Sequence, residues 1–294
     1  MPGCTLRFRF LAALVSAGLS VVAIAPAAAS PASTPITIGR SIELLSKNLS
    51  ERRTFNVVLP ASYAKEPNRR YPVLYLIDGG IDQDLLHVAG VVHLGALWGR
   101  SSEAIVVGIE TKDRRKELTG PTKDPELLKR FPTAGSSAKF REFIRSEIKP
   151  LIETTYRTNG RSVILGESLA GLFVAETYVL EPSLFNAYAA VDPSLWWDKG
   201  ALSLAAANGL GSRQRGRGLF IAIAKEQSED RGNAERLVSG MRAKGLSLCA
   251  SERPDLTHAT IYQQISPQAV QYLLPPAVAP PAEYGFNVNC TSKL

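Results

Sequence analysis

The apolar positions of the chain fall into short continuous runs separated by longer stretches of helical period. Val73-Leu-Tyr-Leu-Ile77 is apolar throughout and is bounded by Pro72 and by Asp78-Gly79-Gly80. A run of that length between turn residues predicts a strand buried on both faces of a mostly parallel sheet. Upstream, Ile36 to Leu59 holds two extended segments separated by the polar Asn48 to Arg53, and Thr54 to Leu59 alternates as a half-buried strand does, which predicts an opening antiparallel hairpin. Downstream the periods alternate. Helices are predicted over Asp82 to Trp98, Ser137 to Tyr156, Leu169 to Leu180 and Ala234 to Lys244, and near Gln268 to Leu273. Strands are predicted over Ala104 to Ile109, Ser162 to Leu165, Tyr188 to Val191, Leu219 to Ile223 and Leu246 to Ala250. Such alternation implies one mostly parallel sheet wrapped by helices, an α/β fold.

The first residues read as a leader. Arg7 and Arg9 supply a charged start, Phe10 to Ala25 is apolar or small without charge, and Ala27 and Ala29 suit a signal peptidase, so cleavage is expected after Ala29. The alternative is a retained anchor, but the run is short for a span of ~20 residues and is broken by Ser16, Gly18 and Ser20. Residues 30–294 would then form one domain with an irregular, Pro-rich tail from Pro275, exported to a periplasmic or extracellular compartment with no stable membrane span. Cys4 leaves with the leader. Of the three cysteines, Cys249 and Cys290 remain, and in an oxidising compartment a disulfide between them is expected. Losing Arg7 and Arg9 lowers the formal charge from +7 to +5, a mildly basic balance that favours anionic ligands. Lys and Arg form no dense run, which argues against nucleic-acid binding.

The sharpest chemical signal is Ser162-Val-Ile-Leu165 followed by Gly166-Glu167-Ser168-Leu169-Ala170-Gly171 and then a helix. Small residues at Gly166 and Ala170 let strand and helix approach, so Ser168 can sit in a strained turn as a nucleophile; the plainer reading is a helix-capping serine. A serine hydroxyl needs a base. Of three histidines, His87 and His93 lie upstream on a helix face, whereas His258, in a loop after the last predicted strand, follows the order nucleophile, acid, histidine of the α/β-hydrolases. The acid is expected after Leu219 to Ile223, where Glu226 comes soonest and Glu229 and Asp230 are alternatives; Asp255 lies too near His258 in sequence. Oxyanion donors are expected at the amide of Leu169 and, from the Asp78-Gly79-Gly80 loop, at Gly80.

With these residues in view, the chain resembles the esterase family that includes esterase D, the ferric enterobactin and salmochelin esterases and the antigen 85 mycolyltransferases. The matching pieces are the Leu-Ile-Asp78-Gly79 strand end, Arg114-Arg-Lys-Glu117-Leu-Thr119 after the next strand, the helix from Phe140 to Tyr156, the elbow continuing as Gly171-Leu-Phe173, and Asp192-Pro-Ser-Leu-Trp-Trp197. The last is most similar to the siderophore-esterase branch. The resemblance implies an α/β-hydrolase fold and hydrolysis of a small-molecule carboxylic ester through a serine acyl-enzyme, with no metal or other cofactor. Departures from the family pattern are Glu167 beside the nucleophile, Ala170 for glycine, and Ala224-Lys-Glu226 where a glycine usually precedes the acid. Arg114, Trp196 and Trp197 suit an anionic, aromatic ligand such as a ferric catecholate, or equally serve as packing, with Arg114 and Glu117 bracing the loop above the site. An acyltransferase on the same fold and a catalytically inactive binding protein are the competing functions. The segments Leu118 to Thr133 and Trp196 to Gly211 are expected to shape the substrate pocket.

Overall fold

A computed structural model of the chain describes Gly3, residues 33–225 and residues 228–291, with side chains for all of these except 228–230. The expected leader lies outside the described residues apart from Gly3. The unit Ile38–Leu294 carries every element described below.

Eight strands, β1 Arg40–Ser46, β2 Glu51–Val58, β3 Tyr71–Ile77, β4 Ile105–Ile109, β5 Thr158–Glu167, β6 Ala187–Val191, β7 Gly218–Ala224 and β8 Leu248–Arg253, form one sheet in the order β1-β2-β4-β3-β5-β6-β7-β8. β2 is antiparallel to both of its neighbours, and from β4 onward every pairing is parallel. This is the α/β-hydrolase arrangement, with the expected opening hairpin at one edge. Between the strands lie α1 Leu85–Leu97, α2 Arg114–Leu118, α3 Pro125–Arg130, α4 Ser137–Phe143, α5 Lys149–Thr155, α6 Leu169–Leu180, α7 Ala201–Gly209, α8 Ser228–Ala243 and α9 His258–Leu273.

Alternation along the strands feeds two apolar layers. Phe220, Ala222 and Ala224 of β7 join the layer under α1 and α9, whereas Leu219, Ile221 and Ile223 join the layer shared with α4 to α8. A strand covered on both faces must be apolar at every position, and for that reason β3 is buried over its whole length.

Several elements start earlier than expected, β5 by four residues and α8 by six, and two further departures turn on a proline. The single helix anticipated over Ser137 to Tyr156 is α4 and α5 joined by a π-helical turn at Ile144–Ile148. Pro150, one turn further on, has no N–H to return to the carbonyl of Ser146, and the ladder slips there. The closing helix, expected near Gln268, starts ten residues earlier at His258 and passes through Pro267. Thr257 caps it, its own N–H donating to Thr260 Oγ1 at 3.0 Å. The proline removes one helical hydrogen bond without ending the helix, because buried Ile261, Ile265, Ala269 and Val270 hold that face against the sheet.

Cys249 of β8 is bonded to Cys290, 41 positions further along the sequence. The tail so anchored lays Tyr284 and Phe286 over α1 and α9, roofing an apolar cavity of about 450 Å³ between Val91, Leu94, Trp98 and Val270.

Candidate active site

The chemistry-bearing residues gather at the carboxyl ends of the parallel strands, where an open α/β sheet leaves room for a ligand. Ser168 lies between β5 and α6 with φ 59° and ψ −118°, a conformation that costs a non-glycine residue energy and so must be held by its surroundings. Its N–H donates to the Val191 carbonyl at 3.0 Å, and its own carbonyl accepts from Ser194 at 3.0 Å and Leu172 at 2.9 Å. The turn closes only because Gly166 has no side chain, since a Cβ there would stand 2.6 Å from the carbonyl carbon of Ala170.

His258, expected in a loop, is the first residue of α9. Its Nε2 lies 3.2 Å from Ser168 Oγ and its Nδ1 2.5 Å from Asp192 Oδ2. Asp192 follows β6, is 4% exposed, and adopts φ 40°. Its other oxygen accepts the Ala224 N–H at 2.8 Å, so one carboxylate bridges the end of β7 and the histidine. With an acceptor at Nδ1, the ring keeps its proton there and turns the Nε2 lone pair toward the serine.

Asp192 was not among the acids anticipated after β7. Glu226, the first choice there, lies outside the described residues, and the side chains of Glu229 and Asp230 are not described. Asp192 directly follows a buried strand and opens the Asp192-Pro-Ser-Leu-Trp-Trp197 segment noted above; its left-handed backbone and its bond to Ala224 are products of the tertiary fold.

Leu169 opens α6, and its amide belongs to the first turn, whose N–H groups have no acceptor within the helix. The Gly80 N–H donates to Gln83 Oε1 at 2.9 Å, within its own loop. Gly79 meets the sheet so closely that a Cβ would fall 2.2 Å from Gly108 Cα. Arg114 does not pair with Glu117. Its Nε donates to Asp78 Oδ2 at 2.8 Å, while Glu117 is gripped by both terminal nitrogens of Arg53 at 2.7 and 2.8 Å, because β2 carries the buried Arg53 directly under α2. Trp197 is buried, donating to the Gly120 carbonyl at 3.0 Å. Trp196 is half-buried at its edge, and the cation above its ring, at 5.7 Å, belongs to Arg115 rather than Arg114. His87 bonds Ser266 Oγ at 3.0 Å on the buried side of α1, a helix-face histidine.

A second carboxyl adjoins the histidine. Glu167 Oε1 lies 3.5 Å from His258 Nε2. Burial raises its pKa to about 7, with His258 and Arg114 opposing the rise and Asp84 and Asp192 adding to it. Burial likewise lifts Asp84, beside Asp78, to about 6. Among the described residues no group of His, Cys, Asp and Glu is arranged to hold a metal ion, and no helix is long and apolar enough to cross a membrane.

Residues 46–251 match the family described as "Putative esterase". Ferri-bacillibactin esterase BesA of Bacillus subtilis (strain 168) is 31% identical over 181 residues, which are 55% of this chain and 60% of BesA, so the match spans less than two thirds of that relative. An IroE-like serine hydrolase from Shewanella oneidensis superposes with a TM-score of 0.71 at 28% identity over 80% of each chain. Siderophore hydrolase EstB from Aspergillus nidulans superposes with a TM-score of 0.70 over 86% of this chain and 99% of its own, at 19% identity, a likeness of fold.

Proposed function

We propose, from the premise that this chain belongs to the Esterase family, that it is an exported serine esterase in which Ser168, His258 and Asp192 act as nucleophile, base and orienting acid. The observation that carries this reading is the unbroken relay from Ser168 Oγ to His258 at 3.2 Å and from His258 to Asp192 at 2.5 Å. Ser168 Oγ attacks the ester carbonyl as its proton passes to Nε2. The imidazolium then returns the proton to the departing alcohol oxygen, and a water repeats the sequence on the acyl-enzyme. Asp192, 2.5 Å from Nδ1, steadies the imidazolium.

The developing oxyanion is received by the Leu169 amide and by Gly80, whose N–H exchanges Gln83 Oε1 for the substrate oxygen. Arg114, held at the mouth by Asp78, and Arg115 over Trp196 favour an anionic substrate with a flat ring, the class to which catecholate siderophore esters belong. The names of the relatives support this substrate class, and the Cys249–Cys290 disulfide supports an oxidising compartment.

Purified protein and Ser168→Ala are to be compared against p-nitrophenyl esters and a tri-catecholate lactone, with intact mass measured after fluorophosphonate treatment. Hydrolysis and a single adduct in the parent, both lost in the variant, are expected. A parent that neither hydrolyses nor labels would remove the nucleophile assignment.

A further inference from the structure

We propose that Glu167 is a positioning residue for His258, a second counter-charge at Nε2 that governs how readily the imidazolium forms and which acceptor its proton faces. The proposal rests on the reading of His258 as the base. Its grounds are geometric. Glu167 precedes Ser168 at the tip of the elbow, so the turn that aims the nucleophile also aims this carboxyl at the same ring nitrogen, 3.5 Å away against 3.2 Å for Ser168 Oγ. Asp192 occupies Nδ1 from the other side. The imidazole is thereby flanked by one carboxyl at each nitrogen.

The groups around Glu167 make its charge conditional. His258 and Tyr262 face it from α9, Asp84 from α1, Asp192 from the end of β6, and Arg114 from α2, tied to Asp78. Tyr262 Oη is buried and has no hydrogen-bond partner among the described residues. Three other carboxyls and one arginine leave this corner short of positive charge, and burial holds Glu167 near neutrality, where a histidine also titrates. With Glu167 Oε1 3.5 Å from His258 Nε2, a single proton bound by the pair sits on one or the other. With the proton on Glu167, neutral His258 accepts from Ser168. With the proton on His258, Nε2–H is directed at the Glu167 carboxylate and the serine is not activated. With neither group protonated, Nε2 takes the Oγ proton and passes it to the departing oxygen, while Glu167 stays a carboxylate throughout and lowers the energy of the imidazolium in between.

The test is a pH titration of 15N-histidine-labelled protein by NMR, together with kcat/KM against pH, for the parent and Glu167→Gln. In the parent, the His258 ring nitrogens should titrate in two steps, as two strongly interacting sites do. In the variant, a single step is expected, lowered by about one to two units, the displacement expected on losing an adjacent opposite charge. The acid limb of kcat/KM should move down in pH by the same amount and the plateau should fall severalfold, because the weaker base takes the serine proton less readily. A single-step parent titration, or a variant whose His258 midpoint and acid limb coincide with the parent's, overturns the proposal. The parent titration needs no variant to fold. The NMR readout also stands apart from esterase activity, so loss of the esterase reading would show separately as absent fluorophosphonate labelling.

Discussion

Replacing Asp192 by Asn tests the relay with little change of shape. In the native arrangement Oδ1 accepts from the Ala224 amide at 2.8 Å and Oδ2 faces His258 Nδ1 at 2.5 Å. The Ala224 N–H can only donate, so the carboxamide must keep its oxygen on that side and present its NH2 to the histidine. Nδ1 is then forced to accept, the ring proton moves to Nε2, and Nε2 can no longer take a proton from Ser168. The same tautomer reversal in a serine protease triad costs about 10⁴ in kcat with geometry preserved, equivalent to roughly 5 kcal/mol of barrier. A loss of that order in kcat/KM on p-nitrophenyl esters is expected, with the melting temperature nearly unchanged because both side-chain contacts survive. Glu226→Gln, measured beside it, should stay within about threefold of the parent. Retention of more than a tenth of the activity in Asp192→Asn, or a comparable loss in Glu226→Gln, would refute the assignment.

Reduction of Cys249–Cys290, or their joint replacement by Ser, releases a closed loop of about 40 residues, and loop entropy sets the expected loss at up to about 4 kcal/mol; equal urea midpoints with and without reductant would contradict this. Gly166→Ala places a Cβ 2.6 Å from the Ala170 carbonyl, and a destabilisation of about 1–3 kcal/mol with a sharp fall in labelling of Ser168 is expected from denaturation curves and fluorophosphonate kinetics. Asp84 has a folded-state pKa raised to about 6, so between roughly pH 4 and 6 the folded chain binds more protons than the unfolded one and its contribution to stability falls as pH rises. Asp84→Asn should remove that fall, leaving stability at pH 4 unchanged and raising it at pH 8 by about 1–2 kcal/mol after allowance for partial solvent screening; denaturation curves that remain parallel across this range would count against it.

The parts of the fold that could be read from the chain are those decided by neighbours in sequence. An apolar run such as Val73–Ile77 needs no distant information to be a doubly covered strand. The elbow is similarly local, since strand, Gly166, Ser168 and helix follow one another and the steric demand on Gly166 comes from Ala170, four residues on. His258 stood out because few histidines compete for the role. Its place at the start of a helix did not, because the interior Pro267 masks a helix that is held together by burial.

The sequence by itself thus determined the alternating α/β plan, the shape of the elbow and which histidine comes after the last strand. Only the tertiary structure decided which carboxylate faces that histidine and which charges are paired. Asp192 follows the buried strand β6, and the sheet order sets what lies around it. β6 lies between β5 and β7, so the residue leaving its end is tied to β7 by the Ala222 carbonyl and the Ala224 amide, while Val191 just before it accepts from the Ser168 amide on the β5 side. Arg53 meets Glu117 rather than leaving it to Arg114 for the same reason, since β2 pairs with β4 and is carried beneath α2. Chemistry of this kind depends on contacts across tens of residues, and those are settled when strands choose neighbours, a choice that local pattern does not encode.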